Sequence, residues 1–317
     1  MSKLQVICIG EALIDKIINK SDSNFKNYLG GAPANVVCAL RKLEVPAAFI
    51  GCLGDDEYGR EFIRLFQQLN INIDFLQIAK QASTRIVKVM RDESGDRSFS
   101  GFEVTKSSSF ADEMLDKLLL NTNIKNLKKL FLNTKYIVTG TNLLAFSQSS
   151  DALYFILDFA KKFKIKIIID VNWREIFWEN SNIDKDAKLK KVKKFLHHAD
   201  ILKLANEEAY LFFNTSDPSE ISKVLIKQPD VIITNGAKPI NWYLNGIKGS
   251  NEVVKHTSKI IDTTGAGDAF LAGLISRYYL NSNLDNHSKI KENIKFASVC
   301  GLLTCFGEGA IEQQPEE

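Results

Sequence analysis

Residues 262–275 read DTTGAGDAFLAGLI, and no other stretch of the chain says as much in so few residues. Gly265, Ala266 and Gly267 are small enough for main-chain amides to approach a ligand closely. Directly behind them the apolar spacing turns helical, at Phe270, Leu271, Leu274 and Ile275. A glycine-rich turn that opens a helix gathers unpaired N–H groups and the positive end of the helix dipole at one point. Such a point binds phosphate. Asp268 falls in the first helical turn. The dipole alone favours a carboxylate there, so an isolated aspartate would need no further account. Beside a phosphate-binding turn it suits a second task, accepting the proton of an attacking hydroxyl. Phosphoryl transfer needs these two parts: amides on the moving group and a carboxylate that positions the nucleophile. Ala272 and Gly273 leave room for a neighbouring helix.

Upstream of that stretch, apolar runs and helical patterns alternate. Residues 4–10 (LQVICIG) form a short apolar run ending in glycine, as a buried parallel strand does. Helical spacing follows over 33–43, a strand over 47–52 and an amphipathic helix over 57–69. Strands at 136–139, 165–171, 201–204 and 231–234 are interleaved with helices at 148–163, 187–197 and 207–213, and further helices cover 266–280 and 289–305. Strands separated by helices imply right-handed crossovers and a mostly parallel sheet. Residues 84–90 and 97–102 break this rhythm as two strands joined by a polar tip, Asp92-Glu93-Ser94-Gly95-Asp96. They read as a hairpin belonging to a small sheet outside the main one.

The 317 residues carry 45% hydrophobic and 25% charged side chains, and no repeat or low-complexity linker interrupts them. One domain over 1–317 is the expectation. A net charge of +3 is too mild to point to nucleic acid. The densest basic run, Lys185 to Lys194, is interleaved with Leu189, Val192, Phe195 and Leu196 at helical spacing, as on a solvated helix face. The five cysteines show no metal-type spacing, and the first ten residues read as a strand, not as a leader. Reduced thiols and a cytoplasmic location are expected. No apolar stretch approaches the roughly 20 residues of a membrane helix.

Asp15 follows the first strand, at the carboxyl end of the sheet where ligands of open α/β folds bind. A carboxylate there can accept two hydroxyl protons of a sugar, although an exposed loop aspartate would look the same.

The 262–275 stretch resembles the C-terminal signature of the ribokinase-like, or PfkB, carbohydrate kinases. GGAPAN at 30–35, followed by GCLGDDEYG at 51–59, resembles the first signature of that family, and the resemblance extends over 10–311. It implies a ribokinase-like three-layer α/β/α fold, its sheet mostly parallel, with a small β lid built from segments at about 13–30 and 81–103. It implies an ATP-dependent sugar kinase most similar to fructokinases, converting fructose to fructose 6-phosphate. A 2-keto-3-deoxygluconate kinase or ribokinase is the alternative of the same class. An inactive sugar- or nucleotide-binding regulatory homologue would be expected to lose Asp268 or the glycine turn. A dinucleotide fold is disfavoured because Gly10-Glu11-Ala12 lacks the later glycines of its fingerprint.

By the same resemblance Asp268 is the general base, and Gly265, Ala266 and Gly267 form the anion hole. Asp262 and Thr264 lie by a monovalent-cation loop, with K⁺ the ion in view. Asp15, Gly30, Gly31 and Asn35 are sugar contacts. Arg97, and Arg174 within Asp170-Val171-Asn172-Trp173-Arg174, resemble arginines of ketose and keto-acid kinases; surface salt bridging would explain both as well. On the nucleotide side stand Thr234, Gly236, Lys203 and Ser298, the last equally readable as a core-edge serine. Glu208 would act through water on Mg²⁺. The chain departs from the family pattern at Val37 (usually small), Glu44 and Pro239 (usually glycine) and Ala205 (usually polar). A sugar and ATP are the implied partners, with no nucleic acid and no membrane. The open edges of a lid sheet leave a homodimer in view.

Overall fold

The computed structural model describes residues 5–19, 25–91, 97–103, 107, 109–179, 184–280 and 286–316. Strand β1 (Gln5–Ile9) ends at Gly10, and the chain leaves the core as β2 (Leu13–Asn19) and β3 (Phe25–Gly30). Helix α1 (Ala32–Lys42) starts at Gly31, with Pro33 in its first turn, where a missing N–H costs nothing. Next come β4 (Ala47–Ile50), β5 (Cys52–Gly54), α2 (Glu57–Gln68) and β6 (Gln77–Ala79). Asp56 caps α2 by accepting the Gly59 N–H at 2.8 Å. Strands β7 (Ile86–Arg91) and β8 (Arg97–Phe102) precede α3 (Lys117–Thr122) and α4 (Ile124–Leu132). The alternation then runs β9 (Thr134–Thr139), α5 (Ser147–Lys162), β10 (Lys166–Asp170), α6 (Lys185–Leu196), β11 (Ile201–Ala205) and α7 (Asn206–Phe213). It continues with α8 (Pro218–Val224), β12 (Asp230–Asn235), β13 (Lys238–Leu244), β14 (Ile247–Asn251), α9 (Ala266–Leu280) and α10 (His287–Thr304).

The main sheet has eight strands in the order β14-β13-β12-β11-β10-β9-β1-β4. From β12 to β4 every pairing is parallel; β13 and β14 add an antiparallel edge. Side chains of a strand alternate between the two faces of its sheet, and β1 shows what that does here. Ile7 and Ile9 join the core under α5 and α6, whereas Val6 and Cys8 join the core under α1, α9 and α10. The result is helices on both faces, the three layers expected of the sequence. Gly273 is where α9 meets α10: a Cβ there would come within 2.9 Å of Cys300 Sγ and 3.1 Å of Ala297 Cα. A second, four-stranded sheet has the order β3-β2-β7-β8.

Two local differences from the sequence reading have plain causes. The strand expected from Thr84 starts only at Ile86, because Thr84 gives its N–H and hydroxyl to Asp56, at 2.6 and 2.9 Å. The β13–β14 hairpin was not anticipated, yet Asn245-Gly246 marks it. Both residues have positive φ, +50° and +78°, as a type I′ turn requires. Pro239, the departure in the expected nucleotide loop, sits where the β12–β13 register shifts, so its missing N–H falls at an irregularity in the ladder.

Glu44 is the other departure with a visible consequence. Val45 N–H donates to Leu40 O at 2.8 Å and Glu44 N–H to Arg41 O at 3.1 Å, the paired bonds that end a helix with a left-handed residue. That residue is Glu44, at φ +56°. A side chain there costs roughly 1–2 kcal/mol relative to glycine. Glu44→Gly is therefore expected to raise the melting temperature by about 1–3 °C in a thermal unfolding scan.

Candidate active site

The parallel strands deliver their polar exits to one edge of the sheet. β1 is followed by Glu11, β9 by Asn142, β10 ends at Asp170 and β11 carries Lys203. All of these line one cavity of about 260 Å³, together with Asp15 and Asp268. Gly31, Asn35, Arg174, Glu208, Thr264, Gly265 and Gly267 complete much of its wall. A second cavity of about 310 Å³ is mostly apolar and takes in Gly236, Ala266 and Ser298. Thr234, Thr263 and Gly267 belong to both, so the two spaces meet over the first turn of α9.

Asp268 lines the first cavity, one residue beyond the shared Gly267. It is buried, and Asn35 Nδ2 donates to its Oδ2 at 2.7 Å. Burial pushes its carboxyl up from an ordinary 3.8 to about 6. The Asp170 charge adds to the rise, while the Asn35 hydrogen bond, Lys203 and Arg174 oppose it. Lys203 and Asp170 are register partners on β11 and β10, and the ammonium reaches both carboxylate oxygens, at 2.9 and 2.8 Å. Burial works against the charge on Lys203, but Asp170 holds its pKa above the usual value. Lys203 lies beneath Gly267, its Nζ 3.3 Å from where a Cβ would stand. Lys203, expected on the nucleotide side, thus lies in the first cavity under the glycine turn and not in the apolar one.

Gly265 has φ +73°, and Ala310 occupies the space its side chain would need, 2.7 Å from a Cβ built there. Asp262 lies behind the turn. Its Oδ1 accepts the Thr264 N–H at 2.9 Å and the Thr264 hydroxyl at 2.6 Å, and its Oδ2 accepts Gly309 N–H at 3.2 Å. Gly30 lacks a side chain because Asp15 fills its place, with Oδ2 within 2.3 Å of where a Cβ would be.

Three further residues singled out in the sequence are Arg97, Glu208 and Ser298. The side chain of Arg97 lies outside the described residues. Glu208 is buried, and each of its oxygens accepts a main-chain N–H: Trp173 at 2.6 Å and Ala205 at 2.7 Å. It is the third residue of α7 reaching back to the helix start, so it ties the exit of β10 to that of β11. Burial and the neighbouring Asp170 raise its pKa. Ser298 is half-buried on α10 and borders the apolar cavity.

The sequence reading missed Glu11 and Asn142. Asn142 Nδ2 donates to Glu11 Oε1 at 2.9 Å, 131 residues apart in the chain. Burial pushes the Glu11 carboxyl up to about 7. Its main-chain and Asn142 hydrogen bonds pull it down, while Asp112 and Asp268 push it further up. The Oδ1 atoms of Asn35 and Asn142 are buried without a hydrogen-bond partner among the described residues. Unmet acceptors in a cavity wall invite hydroxyl donors from a ligand. Glu11 stood in the quoted strand exit, one residue after Gly10; Asn142 carried no signal beyond following an apolar strand.

Among the described residues no helix is long and apolar enough to cross a membrane, and no group of three or more His, Cys, Asp or Glu could hold a metal ion.

Comparison with known proteins is consistent with this geometry. The chain is 30% identical over 321 residues to a probable fructokinase-5 of Arabidopsis thaliana, covering 98% of this chain and 94% of that protein. It is 29% identical to fructokinase-2 of Oryza sativa subsp. japonica, covering 98% and 90%. The crystal structure of a fructokinase from Vibrio cholerae O395 with fructose, ADP and calcium ion superposes with a TM-score of 0.80 at 27% identity, covering 99% of this chain and 97% of that one. A fructokinase from Xylella fastidiosa with bound ATP shares the fold at a TM-score of 0.81 and 23% identity, over 98% and 95%. Residues 3–317 match the family model described as pfkB family carbohydrate kinase, and the chain belongs to that family.

Proposed function

We propose that the chain is a fructokinase that transfers the γ-phosphoryl group of Mg-ATP to the 6-hydroxyl of fructose. One observation carries this reading: a buried carboxylate, Asp268, stands on the first turn of α9 where a polar and an apolar cavity meet. The polar cavity takes the sugar. Asp15, Asn35 and the Glu11–Asn142 pair offer acceptors for its hydroxyls, and Asp268 takes the proton from the one that attacks. The apolar cavity takes the adenosine against Ser298 and Gly236, and the triphosphate crosses Thr234 and Gly267. Gly265, Ala266 and Gly267 present main-chain N–H groups to the γ-phosphoryl oxygens, with Lys203 beneath them as a fixed positive charge. As the bond to the sugar oxygen forms and the bridging bond to ADP breaks, the hydroxyl proton ends on Asp268.

The name of the plant relatives and the fructose and ADP held by the Vibrio cholerae enzyme support this substrate pair. Mg²⁺ would enter with the nucleotide, and Glu208, both of whose oxygens already accept main-chain N–H groups, would meet one of its waters only through a remaining lone pair. For K⁺, Asp262 Oδ1 is engaged by Thr264 and Oδ2 by Gly309 N–H, so a cation here would share that carboxylate with both and add loop carbonyls. Arg174 on the cavity wall favours a second acceptor, the carboxylate-bearing 2-keto-3-deoxygluconate.

Initial rates in an ADP-coupled assay over fructose, 2-keto-3-deoxygluconate and ribose are expected to rank fructose first. Ribose or the keto acid giving the highest kcat/KM would sink the assignment of the sugar. Asp268→Asn should lower kcat by about 10²–10⁴-fold, because base and positioning roles go together. A fully active amide variant would remove the mechanism.

The raised pKa of Asp268 makes two further outcomes checkable. Activity needs the ionised form, so kcat/KM should fall by about tenfold per pH unit on the acid side of pH ~6. Glu11, at about 7, is coupled to Asp268, so this limb is best read in Glu11→Gln. For stability the sign is opposite. The folded state holds the Asp268 proton more tightly than the unfolded chain, so this contribution is full below about 3.8 and is lost as pH rises through about 6. At pH 8 Asp268→Asn is therefore expected to melt about 2–5 °C higher than the wild type while turning over far more slowly.

A further inference from the structure

The segment 306–314, outside every strand and long helix, touches three parts of the site at once. Toward the small sheet, the Tyr28 hydroxyl on β3 donates to Glu308 Oε2 at 2.6 Å, and Lys26 Nζ lies 2.5 Å from the same oxygen. Gly309 has φ +85°, and a Cβ there would come within 2.8 Å of the Tyr28 ring. Ring and turn are closely packed. Toward the glycine turn, Gly309 N–H is held by Asp262, which also holds Thr264, and Ala310 backs Gly265. Toward α1, Gln314 Nε2 donates to the main-chain oxygen of Asn35 at 2.8 Å, and Asn35 is the residue bonded to Asp268.

The small sheet closes the chain of contacts. Tyr28 is the register partner of Asp15 on β2, and Asp15 lines the cavity assigned to the sugar. A displacement of β2 by an acceptor is therefore carried to β3, through Tyr28 and Glu308 to Gly309 and Ala310, and from there to Gly265. The turn has no strand ladder of its own to fix it, so its shape depends on what packs behind it.

We infer that Tyr28 and Glu308 are positioning residues for phosphoryl transfer: they latch the small sheet to 306–314 and so couple seating of the acceptor to the geometry of Gly265, Ala266 and Gly267. The inference rests on the kinase reading above. A single half-buried hydrogen bond of this kind contributes only modestly to folding. A misplacement of about 1 Å in an anion hole, by contrast, costs up to about a hundredfold in rate.

The test uses Tyr28→Phe and Glu308→Gln, singly and together, in the full-length chain. Tyr28→Phe keeps the ring on Gly309 and removes only the hydroxyl. Each variant is expected to lose about tenfold in kcat, with the double variant no worse than the weaker single one. Melting temperatures should stay within about 3 °C of the wild type. A purely structural brace would not move the second readout, the affinity for a non-hydrolysable ATP analogue with and without sugar. Sugar should tighten that affinity at least about fivefold in the wild type and by less than about twofold in the variants. The acceptor is the sugar that the wild type turns over fastest. A wrong substrate then shows in the wild-type rates, and a failed latch only in the ratio of variant to wild type. Unchanged kcat, unchanged coupling in the variants, or no coupling in the wild type would each overturn the inference.

Discussion

A carboxylate kept out of water, yet able to ionise near neutral pH, is what the surroundings of Asp268 are arranged to hold. Burial alone would neutralise it, and Asp170 pushes the same way. Asn35, Lys203 and Arg174 pull in the other direction, and the balance falls at about 6. Lys203 serves twice here, because it also neutralises Asp170 across adjacent strands. Breaking a buried pair of this kind leaves a charge without compensation, typically a cost of about 3–5 kcal/mol. The ion pair, the amide of Asn35 and the helix start are therefore one electrostatic unit that together sets the charge of Asp268.

The fold supplies this unit by bringing the ends of parallel strands to one edge. Each strand contributes a polar exit, and the residues that meet there come from β1, β9, β10 and β11. The small sheet covers that edge, and its root is fixed by a different device. Arg85, just before β7, is fully buried, pairs with Asp112 through Nε and Nη2, and lies over the rings of Phe102, Phe110, Phe146 and Phe177 at 4.1–5.1 Å. A guanidinium can be buried when its fork is matched by a carboxylate and its face by aromatic rings. One end of the sheet is thus pinned to the body, while β3 meets the body through Lys26, Asn27 and Tyr28.

Much of this was open to a reader of the sequence, because it rests on neighbours in the chain. The glycine turn and the spacing of Phe270, Leu271 and Leu274 announce a helix with a charged beginning. The apolar runs announce the sheet, and Asp92 to Asp96 announce a hairpin. The Asn245-Gly246 turn was equally local and could have been read. Glu44 and Lys164 could not: both take left-handed φ, +56°, at helix ends where the residue type gives no hint.

The amino-acid sequence by itself determined where strands and helices lie and which polar residues follow them, since backbone preference and periodicity act over a few residues. Only the tertiary structure decided that Glu11 would be held by Asn142, that Glu208 would spend both oxygens on main-chain amides, and that 306–314 would stand behind the glycine turn. Those outcomes depend on which groups are taken out of water together. Desolvation and long-range pairing are properties of the packed whole, and no local pattern records them.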